Sequence, residues 1–173
     1  MARAVTIDTD KLISGLYDIS LGGTALGAVR GDVTVSRESD KIFFKSAQSV
    51  ADLDARESGV KFFVRCDLGE ATLENLYRAW NQPSGSLGGG NSSLSIEQTP
   101  GSELAQAALT VVGPAPGTSK KFTHTFDKVI SMGVSDQKLT IDDYTVIPVQ
   151  FACLGTVDAN GKTTWGCTVE AAE

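Results

Sequence analysis

Residues 147–153 read Ile-Pro-Val-Gln-Phe-Ala-Cys, and large apolar side chains or cysteine occupy every second position. A period of two residues is typical of a β-strand with one buried and one solvated face. Pro148 has no N–H to donate to a neighbouring strand, which predicts an edge or a bulge there. The same alternation recurs in residues 29–35 and 60–66. These three stretches indicate a mainly β protein.

The remaining β signals lie in the second half of the chain. Strands are predicted at residues 104–112 and 122–130, where Thr and apolar residues dominate. Asn160 and Gly161 tolerate the positive φ angles of a hairpin turn, and residues 163–169 alternate again as the returning strand. We therefore predict an antiparallel β-sandwich or barrel.

One segment changes period and predicts a single flanking α-helix. Its apolar side chains fall at i, i+3, i+4 and i+7, which places them on one helix face. This predicted packing face consists of Leu73, Leu76, Tyr77 and Trp80. Asp67 or Thr72 could cap its N-terminus, and Pro83 follows its end.

The 173 residues suit one domain spanning residues 1–173. Two connections stand out within it: a polar segment at residues 37–59 and a Gly/Ser-rich segment at residues 84–93. Both are expected to be loops. A loop as long as 37–59 is unusual in a compact domain and is usually functional.

The charge balance limits the function classes. The net charge is −6 with a sequence pI of about 4.8, and no basic run is present, which argues against a protein that grips nucleic acid. The first residues lack the apolar core of a signal peptide, and no apolar stretch is long enough for a membrane segment. We expect folding in a cytoplasm.

Residues that could carry chemistry are scarce. His124 is the single histidine and has no nucleophile motif near it. Cys66, Cys153 and Cys167 lack metal-type spacing and are expected to be small buried side chains. Neighbouring carboxylates occur as Asp52 with Asp54 and as Asp142 with Asp143, and such acids in loops are usually solvated. We therefore predict no enzyme activity, no metal and no cofactor.

Three motifs in order resemble the major tail (tail tube) proteins of tailed bacteriophages, over nearly the whole chain. The first is a Leu-Gly-x-Thr-x-x-Gly-x-Val pattern at residues 21–29. The second is Glu-x-Thr-Leu-x-x-Leu at residues 70–76, and the third is Tyr-x-x-Ile-Pro-Val-x-Phe at residues 144–151.

The resemblance implies a structural virion protein of the tail, assembled in the host cytoplasm. Six protomers would form a ring, and stacked rings would form a hollow tube through which double-stranded DNA passes. Partners would be further copies of the chain and the tape measure, terminator and distal tail proteins. Within the polar segment, the expected inter-ring stacking residues are Arg37, Phe43, Phe44, Gln48, Asp52, Asp54, Arg56 and Glu57.

Two further expectations and three alternatives accompany this reading. The polar segment would become ordered only against the next ring, and the acidic balance would keep DNA phosphates from adhering to the lumen. The alternatives are a tube or terminator protein of a related contractile injection, secretion or gene-transfer particle, a β-sandwich binding module, and an enzyme with a cryptic site.

Overall fold

The computed structural model describes residues 17–45, 52–83, 86–97, 99–115, 120–133 and 146–172. The strands in chain order are β1 (Asp18–Leu21), β2 (Thr24–Ala25), β3 (Val29–Lys45), β4 (Asp52–Leu68), β5 (Ala107–Pro114), β6 (Lys120–Ser131), β7 (Ile147–Cys153), β8 (Thr156–Val157), β9 (Thr163–Thr164) and β10 (Gly166–Ala172). One helix, α1 (Leu73–Ala79), follows β4, and a 3-10 turn spans Gly89–Asn91.

The strands confirm the mainly β, antiparallel class. Eight of them form one sheet in the order β2-β1-β5-β6-β7-β4-β3, with β10 also paired to β6, while β8 and β9 form a separate pair. Pro148 lies on β7 opposite Asp67 of β4, beyond the short stretch that pairs with β6, so its missing N–H interrupts no ladder there.

The sheet forks at β6. One edge of β6 pairs with β5, and the other edge pairs first with β10 and then with β7. Cys153 is the last residue of β7 and pairs with both Val129 of β6 and Phe62 of β4. Beyond this point β6 pairs with β10 instead of β7, and β4 continues with β3 alone.

The core lies between the sheet and α1. Thr72 caps the helix, because its hydroxyl accepts a hydrogen bond from the N–H of Asn75 at 3.1 Å. The guanidinium of Arg78 donates a hydrogen bond to the carboxylate of Glu74, one turn earlier, at 2.8 Å. Asp67, the other predicted cap, instead lies in β4. The largest fully buried side chains are Phe151, Ile19, Leu26, Leu68, Leu109, Ile147, Val64, Val111 and Val129.

The prediction of a loop at residues 37–59 is wrong for the described residues of that segment, 37–45 and 52–59. Residues 37–45 belong to β3 and 52–59 to β4, paired through an antiparallel ladder. The period-two signal arises only where one face of a strand is buried. Here both faces are solvated, so polar residues occupy both and the pattern disappears.

The predicted returning strand and one cysteine also need correction. Residues 163–169 are divided at Gly166 between β9, which completes the hairpin, and β10, which pairs with β6. Cys167 lies on β10 and is exposed, whereas Cys66 and Cys153 are buried as expected.

Candidate assembly surfaces

The first surface is a two-stranded arm built from β3 and β4. Residues 62–68 of β4 pair with β7 as well as β3, but residues 52–61 pair only with β3 among the described strands. The two strands thus leave the rest of the sheet at Phe62 and extend as a ribbon made of residues 38–45 and 52–61, roughly 30 Å long.

Two charged contacts link the strands of the arm, an ion pair between Arg37 and Glu57 and a cation–π contact between Arg56 and Phe44. Arg37 donates to both carboxylate oxygens of Glu57, at 2.8 and 2.9 Å. These hydrogen bonds hold the pKa of Glu57 below its ordinary value. Nearer the tip, Arg56 lies 3.3 Å from Asp54 and over the ring of Phe44, 5.5 Å from its centroid. Such exposed pairs fix geometry more than they stabilise the fold.

The end of the arm is apolar. Ile42, Phe43 and Phe44, hereafter the apolar tip, have exposed fractions of 50%, 56% and 45%. Alternation along β3 places Phe43 on one face of the ribbon and the other two on the opposite face. Three adjacent large apolar side chains in solvent mark an interaction site more often than chance exposure.

Most of the predicted stacking residues lie on this arm. Arg37, Arg56 and Glu57 occupy its length, and Phe43 and Phe44 its tip. Asp54 pairs with Phe44, and Asp52 pairs with Lys45 through the backbone ladder. Gln48 lies outside the described residues.

The second surface is the outer edge of β10. This strand pairs with β6 along seven residues, and no other described strand pairs with it. It contains no proline and no lysine, and its one charged side chain, Glu170, is bonded to Lys120 at 2.7 Å. Val169 on this strand is 50% exposed. Native edge strands normally carry charges, proline or bulges that prevent pairing with another chain.

The third surface is a cleft at the fork of the sheet, between the base of the arm and β10. Its aromatic wall contains Phe62, with ring centroids 5.5 Å from Trp165 and 6.4 Å from Phe126. The cleft has a volume of about 510 Å³ and opens to solvent. We call it the aromatic cleft; Val35 and Lys162 also line it.

The predicted helix face lies away from these surfaces. Leu76 and Trp80 pack against the core, while Leu73 and Tyr77 are half buried. The helix is anchored by buried Asn75, whose amide donates to the carbonyls of Leu26 at 3.0 Å and Glu70 at 2.8 Å.

The described residues contain no cluster of three His, Cys, Asp or Glu side chains that could hold a metal ion. His124 is hydrogen-bonded to Thr168 across β6 and β10, at 2.9 Å. Burial raises the pKa of the thiols of Cys66 and Cys153 to about 12. No described helix is long and apolar enough to cross a membrane.

No protein-family model matches the sequence, and no curated protein matches it either. Solved structures do match the fold. The anti-feeding prophage cap, described as the AFP tube terminating cap, has a TM-score of 0.51 at 8% identity, over 100% of this chain and 95% of that one.

Two chains from an extracellular contractile injection system, PVC, match at slightly lower scores. One is from the sheath-tube complex in the extended state, with a TM-score of 0.49, 10% identity and coverage of 91% of this chain and 89% of that one. The other is from the sheath/tube terminator, with a TM-score of 0.49, 9% identity and coverage of 99% and 100%. At such identities, the likeness to the cap shows a shared fold.

Proposed function

We propose that this protein is a structural subunit that assembles with copies of itself into the rings of a phage-type tail tube. The observation that carries the proposal is the unprotected outer edge of β10. Alternate residues of this strand turn their backbone donors and acceptors away from β6, and no other strand in the described part of the chain pairs with them. A strand from a second copy would complete this ladder.

The outer edge of the other branch of the fork supports this reading by contrast. The outer strand there, β3, carries charged residues at short intervals: Arg30, Asp32, Arg37, Glu38, Asp40, Lys41 and Lys45. Charged edges of this kind resist pairing with other chains. The two open edges are therefore unequal, which favours a contact made through the edge of β10 and not through that of β3.

The arm supplies the contact between rings in this proposal. It projects beyond the core, and the charges along it and the apolar tip lie in solvent in the single chain. The segment that was predicted to become ordered on stacking already contains two paired strands in the single chain. A ring of six and a lumen that passes double-stranded DNA follow from the resemblance to phage tail proteins. An acidic lumen is consistent with the net charge of −6.

A second candidate is a terminating cap, a subunit that ends a tube. The shared fold of the anti-feeding prophage cap favours it. A tube subunit stacks without limit, whereas a cap forms one ring and stops. Growth beyond a single ring therefore separates the two candidates.

Negative-stain electron microscopy of the purified protein over a concentration series tests both. Stacked rings with a central bore support a tube subunit, and single rings support a cap. We expect Val169→Lys on β10 to prevent ring formation. Val157→Lys is the matched control, because Val157 is 64% exposed but lies on the short β8. A wild-type protein that stays monomeric at high concentration would refute the proposal.

A further inference from the structure

We infer that the apolar tip of one copy seats in the aromatic cleft of another copy. This inference rests on the proposed assembly and adds the receiving site for the arm. It joins an apolar protrusion and an apolar concavity that the same chain presents to solvent at different places.

The cleft has the chemistry to receive such a protrusion. The rings of Phe62 and Trp165 meet at an angle of 51°, which leaves part of both rings facing the opening. Val35, 40% exposed, extends the apolar wall along the base of the arm. A volume of about 510 Å³ is within the range of sites that enclose small organic ligands, and it admits a phenylalanine side chain.

The arm cannot reach the cleft of its own chain. Val35 at the cleft and Phe44 at the tip lie on the same strand, nine residues apart, and β4 pairs with that strand between them. At about 3.3 Å per residue, the tip lies roughly 30 Å from the cleft. The occupant must therefore be the tip of a different copy.

The geometry of this contact has a measurable consequence. Between stacked rings, the tip of one copy and the cleft of the next form a heterologous contact, which repeats in one direction. Successive copies would be displaced by about the length of the arm, roughly 30 Å along its direction. Burial of two or three side chains is too small an interface by itself, so the contact becomes effective when many arms act together in stacked rings.

Cross-linking between two singly substituted chains tests the contact directly. Both chains carry Cys167→Ser, a conservative change in the cleft lining that removes the exposed native thiol; one adds Lys41→Cys beside the tip, and the other adds Lys162→Cys at the cleft. After mixing under assembly conditions, a short bis-maleimide should join them into a dimer. Ile96→Cys replaces Lys162→Cys in the control, since Ile96 is 72% exposed and is not among the cleft residues.

A second measurement uses the assembly itself. The double variant Phe43→Ser, Phe44→Ser should retain its fold, because both side chains are already half exposed, and should still form rings through β10. Its threshold concentration for stacking should rise at least about tenfold, since one buried phenylalanine contributes more than a factor of ten to an equilibrium. Ile96→Ser should stack as the wild type does.

The outcomes separate this inference from the proposed function. A tip-to-cleft dimer in excess of the control, together with impaired stacking of the double variant, supports both. Stacked rings with no such excess, or normal stacking of the double variant, overturn the tip-to-cleft contact and leave the proposed function intact. A monomeric wild type overturns both.

Discussion

The side-chain nitrogen of Asn75 donates a hydrogen bond to the carbonyl oxygen of Leu26, 3.0 Å away. The same amide donates to the carbonyl of Glu70 at 2.8 Å, and the Asn75 residue is only 5% exposed. One buried amide thus joins the glycine-rich turn after β1 to the start of α1. Two of the motifs that suggested tail proteins meet at this residue.

We predict that Asn75→Ala lowers the free energy of unfolding by about 2 to 3 kcal/mol, because two carbonyls lose their donor in a buried site. Urea denaturation followed by circular dichroism measures the change. Glu103→Ala, at an exposed position, is the control and should change stability by less than about 0.5 kcal/mol. Equal stability of both variants would mean that the amide is not an anchor.

Replacing Gly27 by a residue with a side chain is predicted to destabilise the fold. Its φ is +78°, and a methyl group there would overlap the carboxyl group of Glu70, which accepts a hydrogen bond from the N–H of Ala28 at 3.1 Å. Gly27→Ala should cost about 2 to 3 kcal/mol, combining backbone strain with the lost hydrogen bond.

Gly23 provides the matched control, since its φ is +80° but nothing lies within 4 Å of an added methyl group. Gly23→Ala should cost only the strain, about 1 to 2 kcal/mol. Glu70→Ala should lessen the additional cost of Gly27→Ala. If Gly27→Ala costs the same free energy of unfolding in the Glu70→Ala background as in the wild type, the overlap with Glu70 is not the cause of the destabilisation.

Glu57 should titrate below its ordinary pKa of 4.5 because Arg37 donates two hydrogen bonds to its carboxylate. The contribution of this ion pair to the stability of the folded state is therefore present above the ordinary pKa. It is lost as the pH falls through the lowered pKa. Carboxyl carbon NMR shifts measure the titration. Arg37→Gln should return the pKa of Glu57 towards 4.5, whereas Arg30→Gln, outside the pair, should leave it unchanged.

Thiol labelling should distinguish one cysteine from the other two. Cys167 is exposed, whereas Cys66 and Cys153 are buried with pKa values raised to about 12, which keeps them protonated at neutral pH. A maleimide should label the native chain once and the denatured chain three times, and Cys167→Ser should abolish native labelling. Labelling of two or more sites in the native chain would contradict the burial.

The sequence by itself determined the elements that have one buried face. Residues 147–153 alternate because β7 turns Ile147, Val149, Phe151 and Cys153 into the core, and the apolar spacing from Leu73 to Trp80 is that of a helix on a surface. Turn residues such as Asn160 and Gly161 act through their own backbone conformation, so the hairpin turn could also be predicted from the sequence.

Tertiary structure alone decided the arm, the open edge of β10 and the aromatic cleft. A strand with both faces in solvent has no periodic apolar pattern, so residues 37–59 carried no signal of pairing. Phe62 and Trp165 are about a hundred positions apart in the chain, and only the fork of the sheet at Cys153 brings their rings together. Edges and clefts arise from which strands pair and where the pairing stops, and hydrogen bonds between distant backbone segments determine both.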